Sequence, residues 1–177
     1  EKIILINGKY AGRFPEFDNQ KLSLHCSLND AIGSYPDLIQ IHLAKIAAPD
    51  RSFFHSLNAA FWTDGVFLLV TEDRKIEKPV HIIHLSTGDN CISQPRFFIY
   101  LKNDSTLDLA FHFLNEGGGG TVFTNAVCET ILNKNSVLNQ HIIQTGNENS
   151  AVLFSQGILQ QSGSKFFNNT CTLSGKW

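Results

Sequence analysis

The chain has 177 residues, 42% of them hydrophobic and 17% charged, with a formal net charge of -2. This composition is ordinary for a globular core and argues against a disordered protein. The near-neutral charge gives no field that attracts nucleic acid or anionic lipid, so we expect neither partner. No apolar run approaches the ~20 residues that span a bilayer, and the first residues lack a secretory signal, so we expect no membrane partner and a cytoplasmic location.

The cysteine and methionine content adds two expectations. Four cysteines lie far apart without a CxxC pair, namely Cys26, Cys91, Cys128 and Cys171. That spacing is typical of a reducing compartment and not of a disulfide scaffold or a zinc ribbon. The chain contains no Met, even at position 1, which leads us to expect a piece of a longer protein.

The beginning of the chain predicts short strands and helices. Residues 2–6 predict a strand, and Asn7-Gly8 suits the positive φ angles of a tight hairpin turn. Ser27 is placed to cap a first helix. A second helix is predicted to open at Pro36 and to continue until Pro49 stops it.

An aromatic stripe marks a third predicted helix, for which Asp50 is the expected cap. Its large apolar residues recur at helical spacing and are Phe53, Phe54, Leu57 and Phe61. Such a stripe is far more often a packing face than a cofactor site. We therefore predict that it packs against the core.

After Asp64-Gly65 the hydrophobic pattern changes from helical to alternating and does not change back. The charged residues 72–75 predict a solvated turn, and Pro79 suits the first position of a strand. Residues 97–101 are apolar at odd-numbered and even-numbered positions alike, which predicts a strand covered on both sides. Residues 105–114 alternate instead. The side chains predicted to point one way are Leu107, Leu109, Phe111 and Phe113, and those predicted to point the other way include Asp108 and His112.

A weak internal repeat favours a solenoid. Small polar turns precede strands at Ser105, Ser136 and Ser164, and the intervals between them are 31 and 28 residues. A period near 30 is what a parallel β-helix requires, because each circuit must return beside its predecessor. Spacing alone leaves a β-sandwich as the alternative. The recurring asparagines that we expect in stacked inward ladders are Asn125, Asn139 and Asn168.

Five segments together resemble a known family. They are LINGKY, FHSLNAAFWTDGVFLLV, IEKPVHIIHL, VFTNAVCETILNKNSVLNQHIIQ and LSGKW. The most specific pieces are Leu57-Asn58 with Asp64-Gly65-Val66, Glu77-Lys78-Pro79, Asn125 with Glu129, and His141 to Gln144. In order and spacing the chain is similar to the SufB/SufD family of iron–sulfur cluster assembly proteins, and to its SufD members more than to its SufB members.

The resemblance implies a mainly β protein. A small α/β segment, residues 1–60, would precede a partial right-handed parallel β-helix, residues 61–177, truncated at both ends relative to the family. It implies a non-catalytic scaffold that acts with SufB-like and SufC-like subunits, the latter an ATPase, with a homodimer as a further option. An iron–sulfur cluster or a flavin would belong only to the intact complex, so no cofactor is expected in this chain.

The resemblance also implies that the residues credited with cluster chemistry lie beyond Trp177. We therefore expect no catalytic residue and no metal site here, and no cofactor-binding residue can be assigned. The absence of a Gly-rich phosphate loop supports this division of labour, because the run at Gly117–Gly120 lacks the Lys and Ser/Thr that an ATPase needs. ATP hydrolysis is therefore expected of a partner.

Two sets of residues that include histidines are candidate metal ligands. His81 and His84 are three apart on a strand, so they point to opposite faces and cannot chelate one ion unless a bulge intervenes. A second set would offer iron or sulfur ligands if its members met on neighbouring rungs, and it comprises His112, His141 and Cys128 or Cys171. We favour histidines that face solvent and cysteines that fill the core.

Three carboxylates keep an enzyme open as the alternative. Asp108, Glu116 and Glu129 would suit a carbohydrate-active or carbohydrate-binding β-helix protein, in which an acid and a base flank a sugar bond. A cupin-like or sandwich binding module is the third option. The clustered Arg, Lys and Trp of a sugar groove are missing, so the scaffold is preferred.

Overall fold

The computed structural model describes residues 1–13, 24–116 and 119–173. It is mainly β, with stacked parallel coils that form a β-solenoid of about three turns after a small α/β segment. The β-helix predicted from the sequence is therefore confirmed. The sandwich alternative is wrong, because successive coils pair as parallel ladders within each sheet.

Short elements precede the solenoid. They are β1 (Lys2–Ile6), β2 (Lys9–Arg13), β3 (His25–Ser27), α1 (Leu28–Ser34), α2 (Pro36–His42), a 3₁₀ turn (Pro49–Arg51) and α3 (Phe53–Phe61). The solenoid strands are β4 (Gly65–Val70), β5 (Val80–Thr87), β6 (Cys91–Ser93), β7 (Arg96–Leu101), β8 (Thr106–Glu116), β9 (Val122–Leu132), β10 (Val137–Gln144), β11 (Ser150–Gln160) and β12 (Lys165–Thr172).

The strands form two sheets that face each other across the solenoid interior. Sheet A has the order β12-β10-β8-β5-β1-β2, and sheet B has the order β11-β9-β7-β4-β3, with β6 paired to β9. Two pairs are antiparallel, β1 with β2 and β3 with β4. The predicted Asn7-Gly8 turn joins β1 to β2, with φ angles of 49° and 83° at its two residues.

One type of turn recurs at three of the passages from sheet B to sheet A, those that follow β7, β9 and β11. A serine hydroxyl donates to the carbonyl three residues earlier in every case, at Ser105, Ser136 and Ser164. The residue before each serine has positive φ, and these residues are Asp104, Asn135 and Gly163. Asp, Asn and Gly are the residue types that adopt this conformation most readily, so the turn sequence follows from the backbone.

The strand registers confirm the predicted coil spacing. Val137 pairs with Thr106 in the preceding coil and with Lys165 in the following one. Hydrogen bonds between side chains repeat the same intervals, since Asn139 and Asp108 are 31 residues apart and Gln140 and Asn168 are 28 apart.

The core lies between the two sheets. The alternation predicted for β8 is confirmed, since Phe111 is 1% exposed and points inward, as do its apolar neighbours at every second position. Phe97 and Phe98 confirm the predicted strand with two covered faces. Phe97 packs on Phe111 inside the solenoid, whereas Phe98 packs on Phe67 beneath the helices.

The predicted asparagine ladder is wrong. Asn125 lies on the outer face of sheet B beneath α3, Asn139 lies on the outer face of sheet A, and Asn168 contacts Gln140 inside the solenoid. Recurrence of asparagine along the chain therefore does not place these residues at equivalent positions, because the alternation of side chains along each strand decides which face a residue occupies.

Two predicted helix boundaries need correction. Ser27 does cap α1, because its Oγ accepts from the backbone N–H of Asp30. However, α2 ends at His42 and does not continue to Pro49. Ser52, and not Asp50, caps α3, because residues 49–51 form a separate 3₁₀ turn.

The aromatic stripe of α3 does not pack against the core as predicted. Phe53 is 72% exposed and Phe61 is 65% exposed, while Asn58 is fully buried. The helix is rotated so that a polar side chain faces the solenoid. The physical reason is a network of buried hydrogen bonds that Asn58 completes.

Candidate interaction surfaces

A buried carboxylate organises the covered side of the solenoid. Glu129 of β9 is fully buried on the outer face of sheet B, beneath the helical segment. Its two oxygens accept from the backbone N–H groups of Ala44, Ile46 and Ala47 at 2.9, 3.0 and 2.9 Å. Because these N–H groups bind the carboxylate, they are not available to a helix, which explains why α2 stops early.

Arg96 of β7 neutralises this carboxylate. Its Nε and Nη2 donate to Glu129 Oε2 at 3.1 and 3.0 Å, and both side chains are fully buried. Its Nη1 donates to Asn58 Oδ1 at 2.9 Å, and the Asn58 amide in turn donates to the carbonyls of Pro95 and Asn125. We call Arg96, Glu129 and Asn58 the clamp.

The clamp fixes the helical segment to sheet B. A buried ion pair contributes little net stability by itself, since desolvation offsets its attraction, but loss of one partner leaves an uncompensated charge. The backbone also approaches closely here, because a Cβ on Gly157 would lie 2.6 Å from the Ile46 carbonyl oxygen. Glu129 and Arg96 are saturated with protein partners, so the clamp is suited to holding structure and not to proton transfer.

The opposite face of the solenoid is uncovered by the part of the chain that the structure describes. The helices pack on sheet B, whereas the outer face of sheet A carries a mixture of apolar and imidazole side chains. Its exposed large apolar residues are Ile6, Leu114, Phe167 and Leu173. They belong to β1, β8, β12 and the residue that follows β12, so exposed apolar side chains occur across this face.

The last described coil adds a second kind of contact surface. Within residues 1–13, 24–116 and 119–173, β11 and β12 each pair with one strand only. Their free N–H and C=O groups can pair with another chain or with more of the same chain. The interior is also partly accessible at this end, where Val152 and Phe154 are only half-buried.

The structure confirms that His81 and His84 point to opposite faces. His84 is buried inside the solenoid, where Nε2 accepts from the backbone N–H of Gly8 at 3.0 Å. Burial lowers the pKa of His84 to about 4, so this imidazole is neutral at physiological pH. His81 lies on the outer face of sheet A, so the two cannot share an ion.

His81 contacts a different histidine. His81 Nδ1 and His112 Nε2 are 2.9 Å apart. Burial lowers the pKa of His112, and burial followed by repulsion from His112 lowers the pKa of His81, so both imidazoles tend to be neutral. His141 lies opposite Ala110 on the far side of β8 and is exposed.

The cysteines do not join these histidines. Cys128 is fully buried inside the solenoid, and burial raises its pKa to about 12, so its thiol stays protonated. Cys171 is exposed on the outer face of sheet A, but Ile143 separates it from His112 in the register. The structure therefore does not bring together His112, His141, Cys128 and Cys171.

The three carboxylates do not converge either. Asp108 accepts from Asn139 at 2.6 Å on the outer face of sheet A, and Glu116 is exposed at the end of β8. Glu129 is on the outer face of sheet B, committed to the clamp. No pair of them flanks a common groove, so this arrangement does not support the sugar-cleaving alternative.

Sequence reasoning missed Arg96 and Asn58 as functional partners. The sequence did contain a signal for Arg96, because it is a lone charge at the start of an apolar strand. Buried charges are normally paired, so this position indicates an acidic partner. Asn58 belongs to one of the segments that carry the family resemblance, but its burial was not predicted, because an asparagine in a short helix is usually exposed.

Two protein-family models match this chain. The SufBD protein N-terminal region matches residues 1–82. The SufBD core domain of the SUF system for FeS cluster assembly matches residues 84–177. Among the described residues, no helix has the length and apolar character needed to cross a bilayer.

Individual relatives agree with the family match. An iron–sulfur cluster assembly SufBD family protein of Pyrococcus horikoshii is 28% identical over 80 residues, 45% of this chain and 18% of that protein. The iron–sulfur cluster assembly protein SufB of Bacillus subtilis is 26% identical over 126 residues, 68% of this chain and 26% of that protein. The chloroplastic protein ABCI7 of Arabidopsis thaliana is 24% identical over 166 residues, 90% of this chain and 31% of that protein. The chain thus spans less than a third of the length of each.

Proposed function

Because the chain belongs to the SufB/SufD family of iron–sulfur cluster assembly proteins, we propose that it is a SufD-like scaffold subunit that acts with a SufB-like chain and a SufC-like ATPase. In this role it contributes surfaces and not a reaction of its own. The order and spacing of the segments quoted above favour the SufD branch over the SufB branch.

One observation supports a scaffold more than any other. Sheet B is covered by helices that the clamp holds in place, while the described residues leave the outer face of sheet A and one edge of both β11 and β12 uncovered. A protein built to meet partners needs a rigid body with an uncovered face. Parallel ladders with a buried aromatic interior supply the rigid body.

The proposal extends to cofactors and compartment. A cluster or a flavin would be contacted only in the assembled complex, and this segment would hold neither by itself. Free cysteines at all four positions suit a reducing compartment, for which we propose the cytoplasm. Self-association through the strand edges of the last described coil is a second mode of assembly that the same surface allows.

Co-purification from the native organism tests the proposed partners. We expect the tagged protein to recover a second SufB/SufD-family chain and an ABC-type ATPase in fixed proportion. The control is tagged protein that has been purified alone, mildly denatured, refolded and kept apart from lysate. This sample should carry neither subunit. Recovery of neither subunit from native lysate would contradict the proposal.

A further inference from the structure

Two imidazoles approach each other on the outer face of sheet A. His81 Nδ1 and His112 Nε2 are 2.9 Å apart, and the ring centroids are 5.2 Å apart. The residues belong to the neighbouring strands β5 and β8, and His81 lies directly opposite Ala110, two residues before His112. Because Ala110 carries only a methyl group, both rings have room to lean together above it.

We propose that His81 and His112 bind one divalent first-row transition metal ion through these two nitrogens. With metal–nitrogen bonds of about 2.0–2.1 Å, the observed separation of 2.9 Å corresponds to an angle of about 90° at the ion. Adjacent ligands subtend this angle in octahedral and square-planar coordination, and imidazole suits nickel, copper and iron. Water completes the coordination sphere.

The number of protons on the two neutral imidazoles permits metal binding. Without metal, one imidazole donates its N–H to the lone pair of the other. Each neutral ring has a single proton, which can occupy either nitrogen. When His81 holds its proton on Nε2 and His112 holds its proton on Nδ1, His81 Nδ1 and His112 Nε2 both carry a lone pair that is free to bind an ion. Metal binding therefore requires a change of tautomer in one ring and no net loss of a proton.

The surroundings define an open, two-ligand site. Among the described residues, no group of three or more metal-binding side chains comes together. Lys2 lies opposite His81, and its charge and that of the N-terminal ammonium group both weaken cation binding. The inference depends on this geometry alone and not on the proposed function.

Calorimetric titration with Ni²⁺ tests the site, with an untagged protein at about pH 7.5, where unperturbed imidazoles are neutral. We expect one Ni²⁺ per chain, and electron paramagnetic resonance of bound Cu²⁺ should show two imidazole nitrogens. Mg²⁺ should not compete, since it prefers oxygen ligands. His81→Ala and His112→Ala should each weaken binding by more than about tenfold, because loss of a group that merely orients a ligand already costs about 10–100-fold.

Matched variants separate this site from the other histidines. His141→Ala on the same face and His42→Ala on α2 should retain the affinity of the unmodified protein. His81→Asn and His112→Asn, checked for fold by circular dichroism, should lose binding while keeping a polar side chain at each position. Absence of Ni²⁺ binding, unchanged affinity after either pair substitution, or an equal loss in His141→Ala would overturn the two-imidazole site.

Discussion

Glu129→Gln is expected to lower the free energy of unfolding by about 3–5 kcal/mol, the range for breaking one partner of a buried ion pair. The substitution keeps the shape of the side chain but leaves the fully buried Arg96 guanidinium without a counter-charge. It also weakens the acceptor that holds the N–H groups of Ala44, Ile46 and Ala47. Urea denaturation followed by circular dichroism measures the loss.

Two further variants show whether the clamp is the cause. Glu116→Gln changes an exposed carboxylate on the same fold and should stay within about 0.5 kcal/mol of the unmodified protein. Hydrogen exchange in Glu129→Gln should accelerate at Ala44, Ile46 and Ala47 more than at the core of β8. A loss below about 1 kcal/mol, typical of exposed pairs, would mean that the Arg96–Glu129 pair is not buried in solution.

Phe111→Ala is expected to destabilise the solenoid by about 3–5 kcal/mol. Phe111 is 1% exposed and packs on Phe97, Phe113 and Phe154 with ring centroids 4.9, 6.5 and 5.1 Å away. Truncation leaves a cavity among aromatic rings from three consecutive coils, because neighbouring strands are fixed by their ladders and cannot collapse to fill it.

The matched control lies on the same strand and the opposite face. Asp108→Ala removes one surface hydrogen bond to Asn139 and should cost about 1 kcal/mol or less. Chemical denaturation of both variants at equal protein concentration gives the comparison. If Asp108→Ala proved more damaging than Phe111→Ala, the assignment of interior and exterior faces would be reversed.

The sequence predicted those parts of the fold that local pattern determines. Alternation in β8 follows from burial of one face, and the polar turns at Ser105, Ser136 and Ser164 follow from a backbone that repeats in every coil. Such features need no knowledge of distant partners, since period 2 and turn chemistry are both local.

The parts that were missed depend on register between distant residues. Arg96 and Glu129 are 33 residues apart, and only the pairing of β7 with β9 brings them together. The same holds for His81 and His112, which meet on a diagonal of the ladder. A hydrophobic stripe indicates which residues of α3 share a face, but the polar bonds of Asn58 decide which face turns inward.

The measurement that bears most directly on a role in cluster assembly is the iron–sulfur content of cells that lack this protein. Deletion of its gene should lower the activity of enzymes that carry iron–sulfur clusters, leave cluster-free enzymes of the same cells unchanged, and be reversed by the intact gene. Unaltered cluster content and enzyme activity in the deletion strain, under conditions in which the protein is normally made, would contradict a scaffold role in iron–sulfur cluster assembly.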